Sequence, residues 1–152
     1  MARLDTSLES AGAEFLVLGH LLIEGIQAFK AYTNFPGYDI IATHPEKNRS
    51  CRMQVKSRWA TDFDGGFLIR NFDCDFIVFV ALNRGFRYRK KSAEVKHGRQ
   101  EPQCYVFPVL LIQTAQDPTN LWGKVFLRNI ENVERYVNNW ELVKAFLGCK
   151  PS

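Results

Sequence analysis

Long apolar runs are missing from this chain. No stretch approaches the roughly 20 residues that cross a bilayer, and the opening MARLDTSLES has charges and hydroxyls where a secretory signal needs an apolar segment. A soluble, intracellular (cytoplasmic) protein with no membrane partner is expected. Cysteine is sparse: Cys51, Cys74, Cys104 and Cys149 show no CxxC or Cys/His ligand spacing, which argues against a structural zinc site. A chain of 152 residues does not need disulfide staples, so the four thiols are expected to be reduced. His20, His44 and His97 lack ligand spacing as well and are given no chemistry. No internal repeat or low-complexity tract is visible, which excludes solenoid architectures.

What is present suits one globular unit. With 46% hydrophobic and 13% aromatic residues, the chain can bury a single core, and residues 1–152 are read as one domain. The net charge of +4 is mild, but the segment Asn83 to Arg99 holds Arg84, Arg87, Arg89, Lys90, Lys91, Lys96 and Arg99 against one acid, Glu94. Phe86 and Tyr88 stand among these cations, a composition suited to following phosphates while an aromatic ring stacks on a base. A solvated loop has the same composition.

The apolar residues Leu8, Ala11, Phe15, Leu18 and Leu22 recur at helical spacing and predict a helix over about Ser7 to Glu24. Thr6 to Glu9 reads as its capping box and Gly25 as its left-handed stop. A first strand follows in IQAFKAYT. Pro36-Gly37 then turns into Tyr38 to Ala42, and a polar stretch, His44 to Ser50, joins this to Cys51 to Trp59 as a hairpin. After Asp64-Gly65-Gly66 comes a short strand FLIRN. The unbroken FIVFVAL is the expected middle of the sheet. CYVFPVLLIQ reads as a further strand made irregular by Pro108, Leu121 to Leu127 as a last short one, and Ile130 to Leu147 as a C-terminal helix ended by Gly148. Trp140 and Tyr136 would anchor that helix, and part of its face could serve a dimer. The order predicts an α+β domain, a mixed sheet flanked by helices.

Alternation along Cys51 to Trp59 puts Arg52, Gln54 and Lys56 on one face and Cys51, Met53 and Val55 on the other. If the hairpin pairs in register, Asp39 joins Gln54 and Lys56 while Ile40 packs with Met53 and Val55. Glu14 has the apolar neighbours Ala11, Val17, Leu18 and Leu21 at helical spacing, so it needs a partner, which a divalent cation held by Asp39 would supply. Hydrolysis of a phosphodiester requires a deprotonated water and stabilised negative charge. Mg²⁺, with Mn²⁺ as substitute, would sit on Asp39, the Gln54 side-chain oxygen, the Val55 carbonyl and, through water, Glu14. Lys56 would position the attacking water. Taken singly, Asp39 could cap a turn, Gln54 and Lys56 could be a solvated strand face, and Glu14 could reach outward from a rim.

In the order Ala13-Glu14-Phe15, Gly37-Tyr38-Asp39-Ile40-Ile41 and Gln54-Val55-Lys56, the sequence resembles the PD-(D/E)XK nuclease superfamily over roughly its first 85 residues. There a helix bearing Glu precedes a strand with Asp and a strand ending in (D/E)-x-K. Two departures stand out: Gln54 replaces the acid of that last element, and Tyr38 replaces the usual Pro. The resemblance implies a restriction endonuclease-like core, dependence on Mg²⁺, duplex or branched DNA as substrate, and a homodimer or higher homo-oligomer. A catalytically silent nuclease fold that binds nucleic acid or assists assembly is the alternative that Gln54 keeps open. An unrelated α+β interaction domain is a third.

Overall fold

Gly25 sets the first boundary. At φ +80° it takes a left-handed conformation that side chains disfavour, and the amides of Gly25 and Ile26 turn back to the carbonyls of Leu22 and Leu21. That closes α1 (Ser7–Ile23) where expected. The N-terminal end differs, because Thr6 makes no side-chain cap hydrogen bond and the capping box is not formed. The computed structural model describes residues 6–31, 38–61, 65–86 and 97–151. The Pro36-Gly37 turn and Arg87, Tyr88, Arg89, Lys90, Lys91 and Lys96 of the basic segment lie outside them.

After α1 come β1 (Gln27–Lys30), β2 (Ile40–His44) and β3 (Arg49–Arg58). A 3-10 turn at Pro45–Lys47 and the left-handed Asn48 make the β2–β3 hairpin. The short β4 (Gly66–Leu68), then β5 (Phe76–Ala81) and β6 (Gln103–Pro108), lead into α2 (Val109–Ala115), β7 (Lys124–Phe126) and α3 (Glu141–Leu147). The main sheet has the order β1-β2-β3-β5-β6, while β4 and β7 pair in a second sheet of two strands. Only the β3–β5 pairing is parallel; the other pairings of the main sheet are antiparallel. This is the expected α+β architecture.

Strand alternation builds a core on each face of the sheet. On one, Ala13, Val17 and Leu21 of α1 and Val143 and Leu147 of α3 pack on Ile40, Met53 and Val78. On the other, Phe67, Ile112 and Val125 pack on Ile77, Phe79 and Phe107. β5 is buried on both sides, as its unbroken apolar run requires, although β3, not β5, is the central strand.

Three further expectations are corrected. The buried stripe of α1 is Ala13, Val17 and Leu21, while Leu8, Phe15 and Leu22 of the sequence-read stripe are 89%, 51% and 52% exposed. CYVFPVLLIQ is half strand and half helix. Pro108 pairs at the end of β6, and the Leu-rich remainder, freed from the ladder, turns into α2. The continuous C-terminal helix is broken: Val133–Tyr136 is a 3-10 turn, Asn132 and Asn138 are left-handed, and only Glu141–Leu147 is α-helical. Its apolar residues serve two cores, Ile130 on one face of the sheet and Trp140, Val143 and Leu147 on the other. No single straight helix reaches both. Instead the amide of Asn138 bonds the Cys104 carbonyl and Val137 bridges Tyr105, along the edge of β6.

Candidate active site

The β2–β3 hairpin aligns Ile40 with Met53, so Met53 and Cys51 enter the core beneath α1, with Val55 packed against it. Arg52, Gln54 and Lys56 take the opposite face. Asp39 stands one residue before β2. Its amide donates to the Met53 carbonyl at 2.7 Å, and its Oδ2 accepts from the Val55 amide at 2.8 Å. Both neighbours of Gln54 thus hold Asp39.

Glu14 projects from α1 to the same corner. Its carboxyl is raised above the ordinary carboxylate range by burial, then by the Asp39 charge and a hydrogen bond to the Asp39 side chain, against the lowering effect of Lys30. Lys30, from β1, lies 4.0 Å from Glu14 and 4.4 Å from the centre of the Phe15 ring. Lys56 is lowered from the usual lysine value, first by burial, with Asp39 acting in the opposite sense and Arg58 adding to the lowering. Asp39 therefore acts on both Glu14 and Lys56. Gln54 Oε1 is buried without a hydrogen-bond partner, which is costly for an amide oxygen. Gln54 and Lys56 open onto a cavity of about 350 Å³, whose rim includes Arg70, Asn71 and Trp122.

The donor set fits a hard cation. The Glu14 and Asp39 carboxyls meet here, burial raising the first, and Gln54 on the adjoining strand has a buried oxygen with nothing to bond; a magnesium-sized ion takes oxygen donors of this kind. The set is lean, since among the described residues no group of three or more His, Cys, Asp or Glu comes together. The histidines stay apart from this corner: His20, for example, stacks on Trp140 at 5.5 Å. The cysteines are free thiols, three of them buried.

Of the expected nucleic-acid residues, only Arg84 is described. It is held by its own strand end, donating to the Leu82 and Gln100 carbonyls and bridging Arg99. Sequence reasoning missed Lys30, Arg70, Asn71 and Trp122. Lys30 carried a signal, a cation in the strand after the Glu14 helix. The other three reach the cavity from the segment after β4 and the turn before β7, which strand alternation in β3 does not reveal.

The α+β layers and mixed sheet match the fold of a solved endonuclease. The solved structure of a bacterial homing endonuclease, I-Ssp6803I, is similar to this chain, with a TM-score of 0.59 and 20% identity over 93% of each chain. No protein-family model matches the sequence, and no curated protein does. Among the described residues no helix is long and apolar enough to cross a membrane.

Proposed function

We propose that the chain is a divalent-metal-dependent endonuclease that hydrolyses phosphodiester bonds of DNA, with Mg²⁺ as the natural ion and Mn²⁺ able to replace it. One observation carries the reading: Asp39, held by the Val55 amide at 2.8 Å, meets the Glu14 carboxyl at the end of the strand that carries Lys56 and a buried Gln54 oxygen with no hydrogen-bond partner. The likeness in fold to a homing endonuclease supports it.

Asp39, Gln54 Oε1, the Val55 carbonyl and Glu14 would hold the ion, which supplies charge neutralisation and an acidified water. Asp39 is the anchor, its carboxylate fixed by the Val55 amide. Lys56 is short of solvation, so its ammonium would donate to a phosphate oxygen or orient the attacking water; as that water's P–O bond forms, the P–O bond to the sugar breaks, the water's proton passes to solvent and the leaving sugar oxygen takes one up from solvent. Lys30 offsets part of the negative charge on Glu14.

Incubation of supercoiled plasmid and branched DNA with Mg²⁺ tests this. Cleavage that disappears in Asp39→Ala and Lys56→Ala, with circular dichroism unchanged, supports the proposal. Binding without cleavage under any divalent ion supports the second reading, a silent nuclease-fold module, which the missing third acid favours. Self-association has a candidate surface in Leu8, Phe15 and Leu22 of α1 and Phe29 of the edge strand β1, all more than half exposed.

A further inference from the structure

The turn Asn120–Gly123 projects two apolar side chains into solvent, Leu121 at 90% and Trp122 at 69% exposure. Exposed turns ordinarily carry small polar residues, and an exposed tryptophan is a large apolar surface left uncovered. The backbone beneath is nevertheless tightly held. The Ile69 amide donates to the Gly123 carbonyl at 3.1 Å, and Gln116 Nε2 donates to the carbonyls of both Ile69 and Gly123 at 2.8 and 2.9 Å. The Trp122 amide donates to Asn120 Oδ1 at 2.9 Å, and Arg70 reaches the Leu121 carbonyl at 3.4 Å. Gly123 has φ +70°, and a Cβ there would stand 2.5 Å from the Ile69 carbonyl oxygen, so no other residue fits the turn without a shift. Trp122 is thus mounted on a fixed support, and holding its ring against a ligand costs little backbone entropy.

Its position decides what that ligand is. Trp122 and Arg70 line the same cavity as Gln54 and Lys56. A partner seated there meets an aromatic face, an exposed guanidinium and a poorly solvated ammonium together. A nucleotide matches all three, its base on the indole and its phosphate among the cations, since stacking accepts any base. An apolar protein surface would strip further solvation from Lys56 and bring no charge of its own to offset the loss.

We infer that Trp122, flanked by Arg70, is a base-stacking subsite, taking a nucleobase unpaired from its duplex next to the phosphate that lies over Gln54 and Lys56. This rests on the nuclease reading and adds to it the substrate class, nucleic acid with an unstacked or single-stranded nucleotide at the cut. A base inside a continuous duplex offers no free face, so intact DNA must open locally to reach the indole.

The test uses the full chain in EDTA with a fluorescein-labelled oligothymidylate, a perfect duplex, and a duplex carrying one unpaired thymidine. Anisotropy gives the affinity. Quenching of tryptophan emission by unlabelled oligothymidylate, excited at wavelengths that tyrosine does not absorb, gives the stacking. Trp59 and Trp140 are the other two emitters. The expected result is quenching in the wild-type chain that Trp122→Phe abolishes, with affinity retained in Trp122→Phe and lowered roughly tenfold or more in Trp122→Ala. The duplex with the unpaired thymidine should outbind the perfect duplex, and Trp122→Ala should erase that preference. Quenching that persists in Trp122→Phe, or unchanged affinity in Trp122→Ala, overturns the subsite. If plasmid cleavage still depends on Asp39 and Lys56 in that case, the subsite fails alone and the nuclease reading stands. If none of the three DNAs binds, the subsite falls, and the nuclease reading falls with it only if plasmid cleavage with Mg²⁺ is absent as well.

Discussion

The Val55 amide donates to Asp39 Oδ2 at 2.8 Å across the end of the hairpin. The paired register ends at Ile40 and Met53, and the Asp39 amide adds a bond to the Met53 carbonyl, so the Asp39 side chain satisfies the next amide along β3, and the carboxylate proposed to anchor the ion is fixed by the fold. Asp39→Ala is therefore expected to abolish cleavage and also to cost about 1–3 kcal/mol of stability. Asp39→Asn keeps an oxygen for the Val55 amide, so it should lose activity with a smaller stability loss. Urea denaturation beside the plasmid assay separates the two effects.

Gln54 should trade stability for function. Its Oε1 is buried without a hydrogen-bond partner, so replacing the amide with an apolar side chain of similar length removes a cost of about 1–3 kcal/mol. Gln54→Met is expected to raise the denaturation midpoint and to weaken Mn²⁺ binding and cleavage. Gln54→Glu should tighten the ion, because it restores the acid, while lowering stability in EDTA. Thermal melts with and without Mn²⁺ give both readouts.

Glu14 makes the metal-free protein sensitive to pH. Its folded-state pKa is raised from 4.5, by burial first, so the stability linked to its bound proton is complete below about pH 4.5 and is lost as pH rises through the higher folded value. Glu14→Gln removes that loss. In EDTA the variant should be more stable than wild type at pH 7, and the difference should shrink toward pH 4, as measured by urea midpoints at both values.

The buried thiols give a second pH signature. Burial pushes Cys74 up to about 11 and Cys104 up to about 12, from 9.0, and Cys51 is raised further in the same direction. Stability from these neutral thiols is complete below pH 9 and is lost as pH rises through 11 to 12. A thiol reagent at pH 8 should label Cys149, which is partly exposed, and reach the other three cysteines only in denaturant. The melting temperature should fall steeply above pH 10.

How much of this could be read in the sequence depended on whether the signal was local. The Gly25 stop and the alternation about Gln54 and Lys56 were legible because one residue's conformation or one strand's period decides them. The order Glu14, Asp39, Gln54, Lys56 was legible as a pattern, but the contact of Glu14 with Asp39 needed α1 to meet the hairpin end. The burial of α1 was misread because the helix carries two apolar stripes, and periodicity cannot say which one the sheet covers. The C-terminal segment failed for a related reason. Ile130 and Trp140 fall on one helical pattern yet belong to different cores. Trp122 and Arg70 could not be found from sequence at all, because a second, two-stranded sheet carries them to the cavity.

The account turns on an ion held at the corner where α1 meets the hairpin, and anomalous scattering from crystals soaked in Mn²⁺ tests that most directly. One peak is expected within coordinating reach of Asp39 and Gln54 Oε1, absent from Asp39→Ala crystals of the same form. A map without density there at saturating Mn²⁺, or with a peak only at other carboxylates, would contradict it.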